Sequence, residues 1–214
     1  MKIEDFLNML FRKQIKATFI CFSVFISVSN SAYAHKASLQ NIVIDDANGD
    51  LIVSYKLKNV FSSQMQKVVL NGIPITFTYH VVLREIRDFW IDKKIINLKI
   101  DHMLKYNVLK KEFIIKRSWR IDEVLITDSF EEAQGLMTEV SGLKIIPFNW
   151  LDSGARYQVG IKAELSKANL PVHLRSALFF SPSWGFDTDW YMVDFNHRKR
   201  MGLQMNRSAG RWPY

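Results

Sequence analysis

Hydrophobic and polar residues alternate over four long segments of the chain, and this pattern predicts β-strands. Successive side chains of a strand point to opposite faces, so each segment has one apolar face and one polar face. The apolar sets are Leu51, Val53, Tyr55 and Leu57; Ile75, Phe77, Tyr79, Val81 and Leu83; Leu98, Ile100, His102, Leu104 and Tyr106; and Tyr157, Val159, Ile161, Ala163 and Leu165. Asn48-Gly49 precedes the first set and predicts a hairpin turn after Ile42-Val43-Ile44, because both turn residues tolerate positive φ.

Two further segments have apolar residues at helical spacing. They are Phe61, Met65, Val68 and Val69, and Ala133, Leu136, Met137 and Val140. Ser129 and Glu132 form a capping box that predicts the start of the second helix, and Gly72 and Gly142 predict the two helix ends. Because short helices are marginal alone and one-sided strands favour antiparallel pairing, we expect a mainly β domain. Its predicted architecture is an antiparallel β-sandwich, or a curved sheet, with two short covering helices.

Residues 1–34 have the three parts of a secretory signal peptide. Arg12, Lys13 and Lys16 precede an apolar run over residues 17–28, and Ala32-Tyr33-Ala34 supplies a small-x-small cleavage site. The run is shorter than the roughly 20 residues that span a bilayer, which favours cleavage and release into the periplasm. The alternative is an uncleaved segment that anchors the chain in the inner membrane. We expect a single domain over residues 35–195 and a basic, flexible tail over residues 196–214.

The positive charge of the chain is concentrated at its ends. The formal net charge is +8, of which the first 34 residues carry +2 and the residues after Asp194 carry +5, which leaves +1 for residues 35–194. A nucleic-acid-binding fold carries a basic stripe on the domain itself, so this distribution argues against nucleic acid as the partner. In the tail, Arg198, Lys199 and Arg200 are candidates for peripheral contact with an anionic membrane surface.

The sequence lacks the motifs of common enzyme classes. It has no nucleophile elbow, zinc-protease helix motif, P-loop or dinucleotide-binding glycine pattern, and the only cysteine, Cys21, lies in the predicted signal peptide. The mature chain would therefore have no disulfide and no thiol nucleophile. We expect a non-enzymatic periplasmic binding or accessory domain without a cofactor, whose partner is a cell-envelope protein or glycan.

Short motifs between Leu51 and Phe195 resemble a family of exported proteins of Gram-negative bacteria that is catalogued as a domain of unknown function. The motifs are Gly72-Ile73-Pro74, Phe89-Trp90 with Asp92-Lys93-Lys94, Leu104-Lys105-Tyr106, Phe130-Glu131-Glu132-Ala133, Leu170-Pro171 and Trp184-Gly185-Phe186-Asp187-Thr188-Asp189-Trp190-Tyr191. The last motif is the most specific of them. The resemblance implies export and a single domain, and it implies no activity, cofactor or catalytic residue.

Cleavage after Ala34 would make His35 the N-terminal residue of the mature chain. Its α-amine and imidazole could then chelate copper, and a second imidazole from His80, His102 or His173 would complete a histidine brace. An alternative function is therefore a copper-binding redox protein, by structural analogy with β-sandwich copper proteins. The simpler interpretation is a solvated N-terminal residue and ordinary strand histidines.

An aromatic and acidic cluster near the C-terminus is a candidate contact surface. Its members are Trp184, Asp187, Asp189, Trp190 and Tyr191. One interpretation is a glycan-binding module, in which Trp184 and Trp190 stack on sugar rings and the carboxylates accept hydroxyl hydrogen bonds. The other is a closing strand whose large aromatic residues, Trp184, Phe186, Trp190 and Phe195, are buried. The odd spacing of Trp190 and Phe195 then requires a bulge, a bend or a strand that is covered on both sides, because strict alternation places them on opposite faces.

Phe89 and Trp90 form a second candidate contact surface at the end of a predicted long strand. Charged residues surround them, namely Arg87, Asp88, Asp92, Lys93 and Lys94. The sharper interpretation is a protruding recognition loop, because loops carry binding residues more often than sheets do. The simpler one is a hairpin tip whose charges prevent edge-to-edge aggregation.

Overall fold

The computed structural model describes residues 36–120, 122–166 and 185–196. Within these ranges the strands are β1 (Ser38–Ala47), β2 (Asp50–Lys58), β3 (Ile75–Ile86), β4 (Lys93–Asn107), β5 (Glu112–Arg117), β6 (Val124–Thr127), β7 (Glu139–Pro147), β8 (Arg156–Leu165) and β9 (Tyr191–Asn196). The helices are α1 (Ser63–Leu70) and α2 (Phe130–Thr138), and a 3-10 turn covers Phe148–Trp150. The predicted mainly β class with two short helices is confirmed. The predicted signal peptide and the predicted tail from residue 197 lie outside the described residues.

The described strands form two antiparallel sheets that do not close into a barrel. One has the order β1-β2-β7 and the other the order β6-β5-β4-β3-β8-β9. Their apolar faces share one core, in which the ring of Tyr55 on β2 lies 5.5 Å from the ring of Tyr79 on β3, measured between centroids. The alternating residues of β2 and β8 are buried as the pattern predicts, from Leu51 to Leu57 and from Tyr157 to Leu165.

Helix α1 begins one residue after its cap. Ser62 is the N-cap, and its Oγ accepts a hydrogen bond from the backbone N–H of Met65 at 3.2 Å. Phe61 therefore lies before the helix, where its ring packs against that of Phe77 with centroids 5.2 Å apart. At the other end, Gly72 has a φ of +79°, which agrees with the left-handed position predicted for it.

Only half of the predicted capping box of α2 is formed. The Oγ of Ser129 accepts from the backbone N–H of Glu132 at 3.3 Å. In a complete capping box the Glu132 carboxylate would accept from the backbone N–H of Ser129. Here that N–H donates to Oγ1 of Thr127 instead, at 3.1 Å. The Thr127 hydroxyl in turn donates to the Glu132 carboxylate. Thr127 thus ties the end of β6 to the first turn of α2.

The predicted end of the second helix at Gly142 is wrong. Helix α2 ends at Thr138, and Val140 and Gly142 belong to β7, which directly follows it. Gly142 has a φ of +69° at an irregularity in the pairing of β2 with β7, and its N–H donates to Oγ of Ser54 at 2.9 Å. Its positive φ therefore serves a β-bulge rather than a helix cap.

The longest strands of the larger sheet, β3 and β4, form a hairpin that defines its two ends. At one end the chain turns between Ile86 and Lys93. Strand β8 begins at this end, where Arg156 pairs with Ile86, and β9 finishes there, where Asn196 pairs with Arg156. At the opposite end β4 leads into the turn that contains Leu109.

Trp190 and Phe195 lie on opposite faces of the larger sheet. Strand β9 pairs with β8 in unbroken register from Tyr191 to Asn196, so no bulge compensates for their odd spacing. Phe195 is buried in the core and stacks on Tyr157, whereas Trp190 is partly buried on the outer face beside Gly160. The expected core position of Trp190 is therefore wrong. Phe186 packs edge-on against Phe77 at the margin of the core, and Trp184 lies outside the described residues.

Candidate functional site

The turn between β3 and β4 exposes three consecutive large hydrophobic side chains. Phe89 is 93% exposed, Trp90 is 81% exposed and Ile91 is 92% exposed. We call these three residues the apolar tip. Exposed large apolar side chains usually occur singly, so an uninterrupted run of three at one turn is a candidate contact site. Phe89 and Trp90 were predicted as a contact surface from the sequence, and Ile91 was not.

The apolar tip stands on a well-supported hairpin. Pairing of β3 with β4 continues up to Glu85 and Lys93, and β8 supports β3 as far as Ile86. Across the base of the turn, the backbone N–H of Arg87 donates to Oδ1 of Asp92 at 3.3 Å. These contacts fix the ends of the turn, so the three side chains project from a defined position.

Charged side chains surround the base of the apolar tip. The Arg87 guanidinium donates to the Glu85 carboxylate at 3.1 Å, and Arg156 of β8 pairs with Asp88. Lys93 and Lys94 are exposed at the start of β4, and neither forms an ion pair with another residue in the described part of the chain. Two acids lie at the same end of the sheet, Asp92 in the turn itself and Asp152 on the connection from β7 to β8, so the two lysines leave no net positive charge there.

Trp150 is a further exposed aromatic side chain at this end of the domain. It is 72% exposed and belongs to the 3-10 turn that connects β7 to β8. The connection is held in place by Tyr157 near the start of β8, whose hydroxyl oxygen accepts from the backbone N–H of Asp152 at 2.7 Å. Because β8 starts beside the end of β3, Trp150 lies on a loop that enters the same end of the sheet as the apolar tip. Trp150 was not predicted as a contact residue, because the strand that precedes its turn, β7, was not predicted from the sequence.

The members of the C-terminal aromatic and acidic cluster do not share one face of the sheet. Trp190 faces outward, whereas Tyr191 packs against the core side. The acids form ion pairs: Asp187 with Lys162 at 2.8 Å and Asp189 with Lys36 at 2.7 Å.

A small surface cavity lies next to Trp190. Its volume is about 170 Å³, and it is lined by Val82, Arg84, Gln158, Gly160, Trp190 and Met192. This is below the roughly 300–1,000 Å³ that is usual for small-molecule sites. The cavity has room for a small polar group or a single ring edge rather than for an extended ligand.

His102 does not have a nitrogen available for a metal ion. The Trp119 indole N–H donates to its Nε2 at 3.1 Å, and its Nδ1 lies 3.0 Å from the backbone oxygen of Met137. An indole N–H can only donate, so Nε2 is the acceptor and Nδ1 carries the proton. His80 lies on the outer face with Nε2 3.2 Å from the Glu164 carboxylate. His35 and His173 lie outside the described residues, among which no group of three or more metal-ligating side chains occurs.

The buried polar groups around His102 hold the end of α2 on the sheet. The Tyr79 hydroxyl donates to the backbone oxygen of Met137 at 2.7 Å, and Arg117 donates to that of Leu136 at 2.8 Å. The last carbonyl groups of a helix lack partners within the helix, and a nearby cation is favourable there. Burial lowers the pKa of His102 from 6.5 to about 4 and raises the pKa of Tyr79. Burial in the core thus explains both pKa shifts.

The comparisons with known proteins give a family without an assigned activity. No curated protein and no solved structure matches the chain. No helix among the described residues is long and apolar enough to cross a membrane. A family model described as a domain of unknown function, DUF4390, matches residues 34–194, which is most of the chain. The chain therefore belongs to the DUF4390 family of domains of unknown function.

Proposed function

We propose that this chain is an exported, non-enzymatic binding domain of the cell envelope and that the apolar tip is its contact surface. The observation that carries the proposal is the exposure of Phe89, Trp90 and Ile91, each above 80%, at the end of a supported hairpin. Export is supported by the positive, apolar and small-residue segments of residues 1–34. The family match, which begins at residue 34, agrees with a domain that starts where the signal peptide would end.

The free energy gained by burying the apolar tip is too small for tight binding by the tip alone. Removing one large apolar side chain from water contributes roughly 1.5–3 kcal/mol, so the tip as a whole contributes about 5–9 kcal/mol. The loss of translational and rotational freedom on association costs about 4–15 kcal/mol. The apolar tip alone therefore supports weak binding, and tight binding needs further groups at the same end of the domain.

The placement of the shifted ionisable groups supports a binding role over catalysis. A catalytic acid or base needs a perturbed pKa and access to substrate. The pKa values of His102, Tyr55, Tyr79 and Tyr157 are perturbed, but all four side chains are buried in the core. Arg117, the other described group with a shifted pKa, is largely buried and donates to the backbone oxygen of Leu136. Each is enclosed by protein, so none of them can reach a substrate in this structure.

Co-sedimentation with a bacterial envelope fraction tests the proposed function. The probe is the combined membrane and peptidoglycan fraction of a Gram-negative bacterium, and the protein is the chain from His35 to Tyr214. We expect the wild type to sediment with the envelope and the variant Phe89→Ser/Trp90→Ser/Ile91→Ser to remain in solution. The matched control is Leu109→Ser, because Leu109 is 94% exposed at the opposite end of the same sheet. Sedimentation that is absent, or equal in wild type and tip variant, would refute the proposal.

A second candidate function is binding of an envelope glycan at Trp190. The cavity beside Trp190 supports it, because Arg84 and Gln158 place polar groups next to an aromatic face, as sugar sites require. Titration of the protein with soluble peptidoglycan fragments tests this candidate. Binding by the wild type that is lost in Trp190→Ala but retained in the tip variant would establish it, and no binding would remove it.

A further inference from the structure

We propose that the cavity beside Trp190 binds the acetamido group of an N-acetylated amino sugar. This inference rests on the second candidate function, an envelope glycan at Trp190, and names the chemical group that the site would recognise. It is drawn from the order of the side chains around the cavity, the size of the cavity and the charges beside it.

Two rows of cross-strand neighbours on the outer face of the larger sheet form the cavity. Each row crosses β3, β8 and β9 in register, and one row is apolar whereas the other is polar. The rows are Val82, Gly160 and Met192, and Arg84, Gln158 and Asp194. All of these residues except Asp194 line the cavity, together with Trp190. One side of the cavity is therefore apolar, and the adjacent side carries hydrogen-bonding groups.

Gly160 allows the side chains of Trp190 and Met192 to lie close against the sheet. A Cβ at position 160 would lie 2.8 Å from Sδ of Met192 and 3.4 Å from Cε3 of Trp190, so a larger residue would displace them. His80, in the next row along the sheet, packs near the same indole with ring centroids 6.5 Å apart. The indole is thus held between neighbours and forms one wall of the cavity.

The size of the cavity fits a substituent rather than a sugar ring. One water molecule occupies about 30 Å³ in the liquid, so a volume of about 170 Å³ holds roughly five water molecules. An acetamido group fits this space, and a whole hexose does not. The ring that carries the group would remain at the surface, where the Trp190 indole offers an apolar face for it.

The two rows match the two halves of an acetamido group. Its methyl group would pack on Val82 and Met192, and its amide would face the polar row. Nε2 of Gln158 donates to Oδ1 of Asp194 at 2.6 Å, which orients the side-chain amide and keeps Oε1 as an acceptor for the ligand N–H. The Arg84 guanidinium has only donors, so it suits the ligand carbonyl oxygen.

The charges of the polar row favour a neutral group. A carboxylate is the competing small group, because Arg84 is a cation. Asp194 stands in the same row, beside Gln158, and its formal charge cancels that of Arg84. An anion in the cavity would therefore meet repulsion as well as attraction, whereas a neutral amide pays no such cost.

Saturation-transfer NMR with two neutral sugars tests the inference. The probes are a trimer of N-acetylglucosamine and the matching trimer of glucose, in which a hydroxyl replaces each acetamido group. The protein is the chain from His35 to Tyr214, which contains the whole core of the described residues. We expect the acetylated trimer to bind roughly tenfold more tightly, with more saturation on its methyl protons than on its ring protons. Equal binding of the two trimers, or no binding of the acetylated one, overturns the inference.

Matched variants assign the binding to the cavity. Gln158→Leu removes the acceptor at similar size, and Trp190→Ala removes the wall, so each should weaken binding of the acetylated trimer roughly tenfold. Trp190→Phe keeps an aromatic wall and should retain most of the binding. The control is His80→Gln, because His80 lies near Trp190 without lining the cavity. A melting curve shows that each variant is folded. Binding that is unchanged in both Gln158→Leu and Trp190→Ala contradicts the assignment.

The outcomes separate this inference from the proposed function. If peptidoglycan fragments bind through Trp190 but the two trimers do not differ, the acetamido group is wrong and the glycan function stands. If neither the trimers nor the fragments bind, both fail. The apolar tip is intact in every cavity variant, so envelope binding through the tip is decided independently. Competition of the acetylated trimer with peptidoglycan fragments or with lipopolysaccharide identifies the polymer that presents the group.

Discussion

Trp119 donates its indole N–H to Nε2 of His102 at 3.1 Å, and Nδ1 of the same ring lies 3.0 Å from the backbone oxygen of Met137. The first contact fixes the neutral tautomer of the imidazole, and the second places its proton on the C-terminal end of α2. His102 thereby joins β4, the loop after β5 and helix α2. The alternating pattern correctly placed it with the core residues of its strand, where it is fully buried.

The His102 contacts predict a loss of stability in mild acid. The pKa is near 6.5 in the unfolded chain and about 4 in the folded protein, so the unfolded state takes up the proton first as the pH falls. The stabilisation is complete above pH 6.5 and is lost between about pH 6.5 and pH 4, by roughly 3 kcal/mol. Urea unfolding across this range measures it.

Two substitutions isolate the contribution of His102 to the pH dependence. His102→Gln removes the titrating group. Between pH 6.5 and pH 4 the free energy of unfolding of this variant should therefore fall by roughly 3 kcal/mol less than that of the wild type. Trp119→Phe removes the donor to Nε2, which should raise the pKa of His102 and shrink the same loss. Equal pH dependence in all three proteins would show that His102 is not the group responsible.

Tyr55 and Tyr79 should respond differently to loss of the hydroxyl group. Both are buried, but the Tyr79 hydroxyl donates to Met137, whereas the Tyr55 hydroxyl has no hydrogen-bond partner among the described residues. Tyr79→Phe should lower the free energy of unfolding by about 1 kcal/mol. Tyr55→Phe should leave it unchanged or raise it slightly, because an unsatisfied buried hydroxyl is removed. Thermal or urea unfolding of the pair decides, and an equal loss in both would contradict the assignment.

Phe195 and Trp190 should differ in the cost of truncation. Phe195 fills the core, so Phe195→Ala should cost about 3–5 kcal/mol. Trp190 is partly buried against Gly160 and Met192 on the outer face, so Trp190→Ala should cost about 1–2 kcal/mol. Denaturant unfolding of the two variants gives both values. A larger loss for Trp190 than for Phe195 would reverse the faces that we assign to them.

The apolar tip should contribute little to folding. Phe89, Trp90 and Ile91 make few contacts with the domain, so each serine substitution should change the free energy of unfolding by less than about 0.5 kcal/mol. An unfolding curve of the triple variant measures the sum. A loss of several kcal/mol would mean that the side chains are packed rather than exposed in the free protein.

The sequence predicted the strands better than their boundaries with helices. The alternating segments that start at Leu51 and Ile75 are strands β2 and β3 in the structure. The prediction succeeds there because alternation in the sequence places every apolar side chain on the one face of the strand that is buried. Strand β7 was missed because Val140 continues the helical spacing of Met137, and the bulge at Gly142 resembles a helix end. Side-chain capping of the helix end by Arg117 and Tyr79 is a tertiary effect that no local pattern contains.

The candidate site was only partly predictable from the sequence. Phe89 and Trp90 stood out because hydrophobic residues at a charged turn have no local partner to cover them. The proximity of Trp150 depends on how β7, β8 and β3 are connected, which follows from sheet order rather than from spacing. Trp190 was assigned to the core because a large aromatic side chain was expected to be buried. The register of β9 is regular, so Trp190 and Phe195 face opposite sides of the sheet, as their odd spacing requires.

Quenching of Trp90 fluorescence by acrylamide tests the central claim most directly. The chain contains six tryptophans, and the difference between wild type and Trp90→Phe isolates the signal of Trp90 while the tip stays apolar. We predict that Trp90 is fully accessible to acrylamide in the free protein and becomes shielded when the envelope fraction is added. A Trp90 signal that is shielded in the free protein, or equally accessible with and without the envelope, would contradict a binding function for the tip.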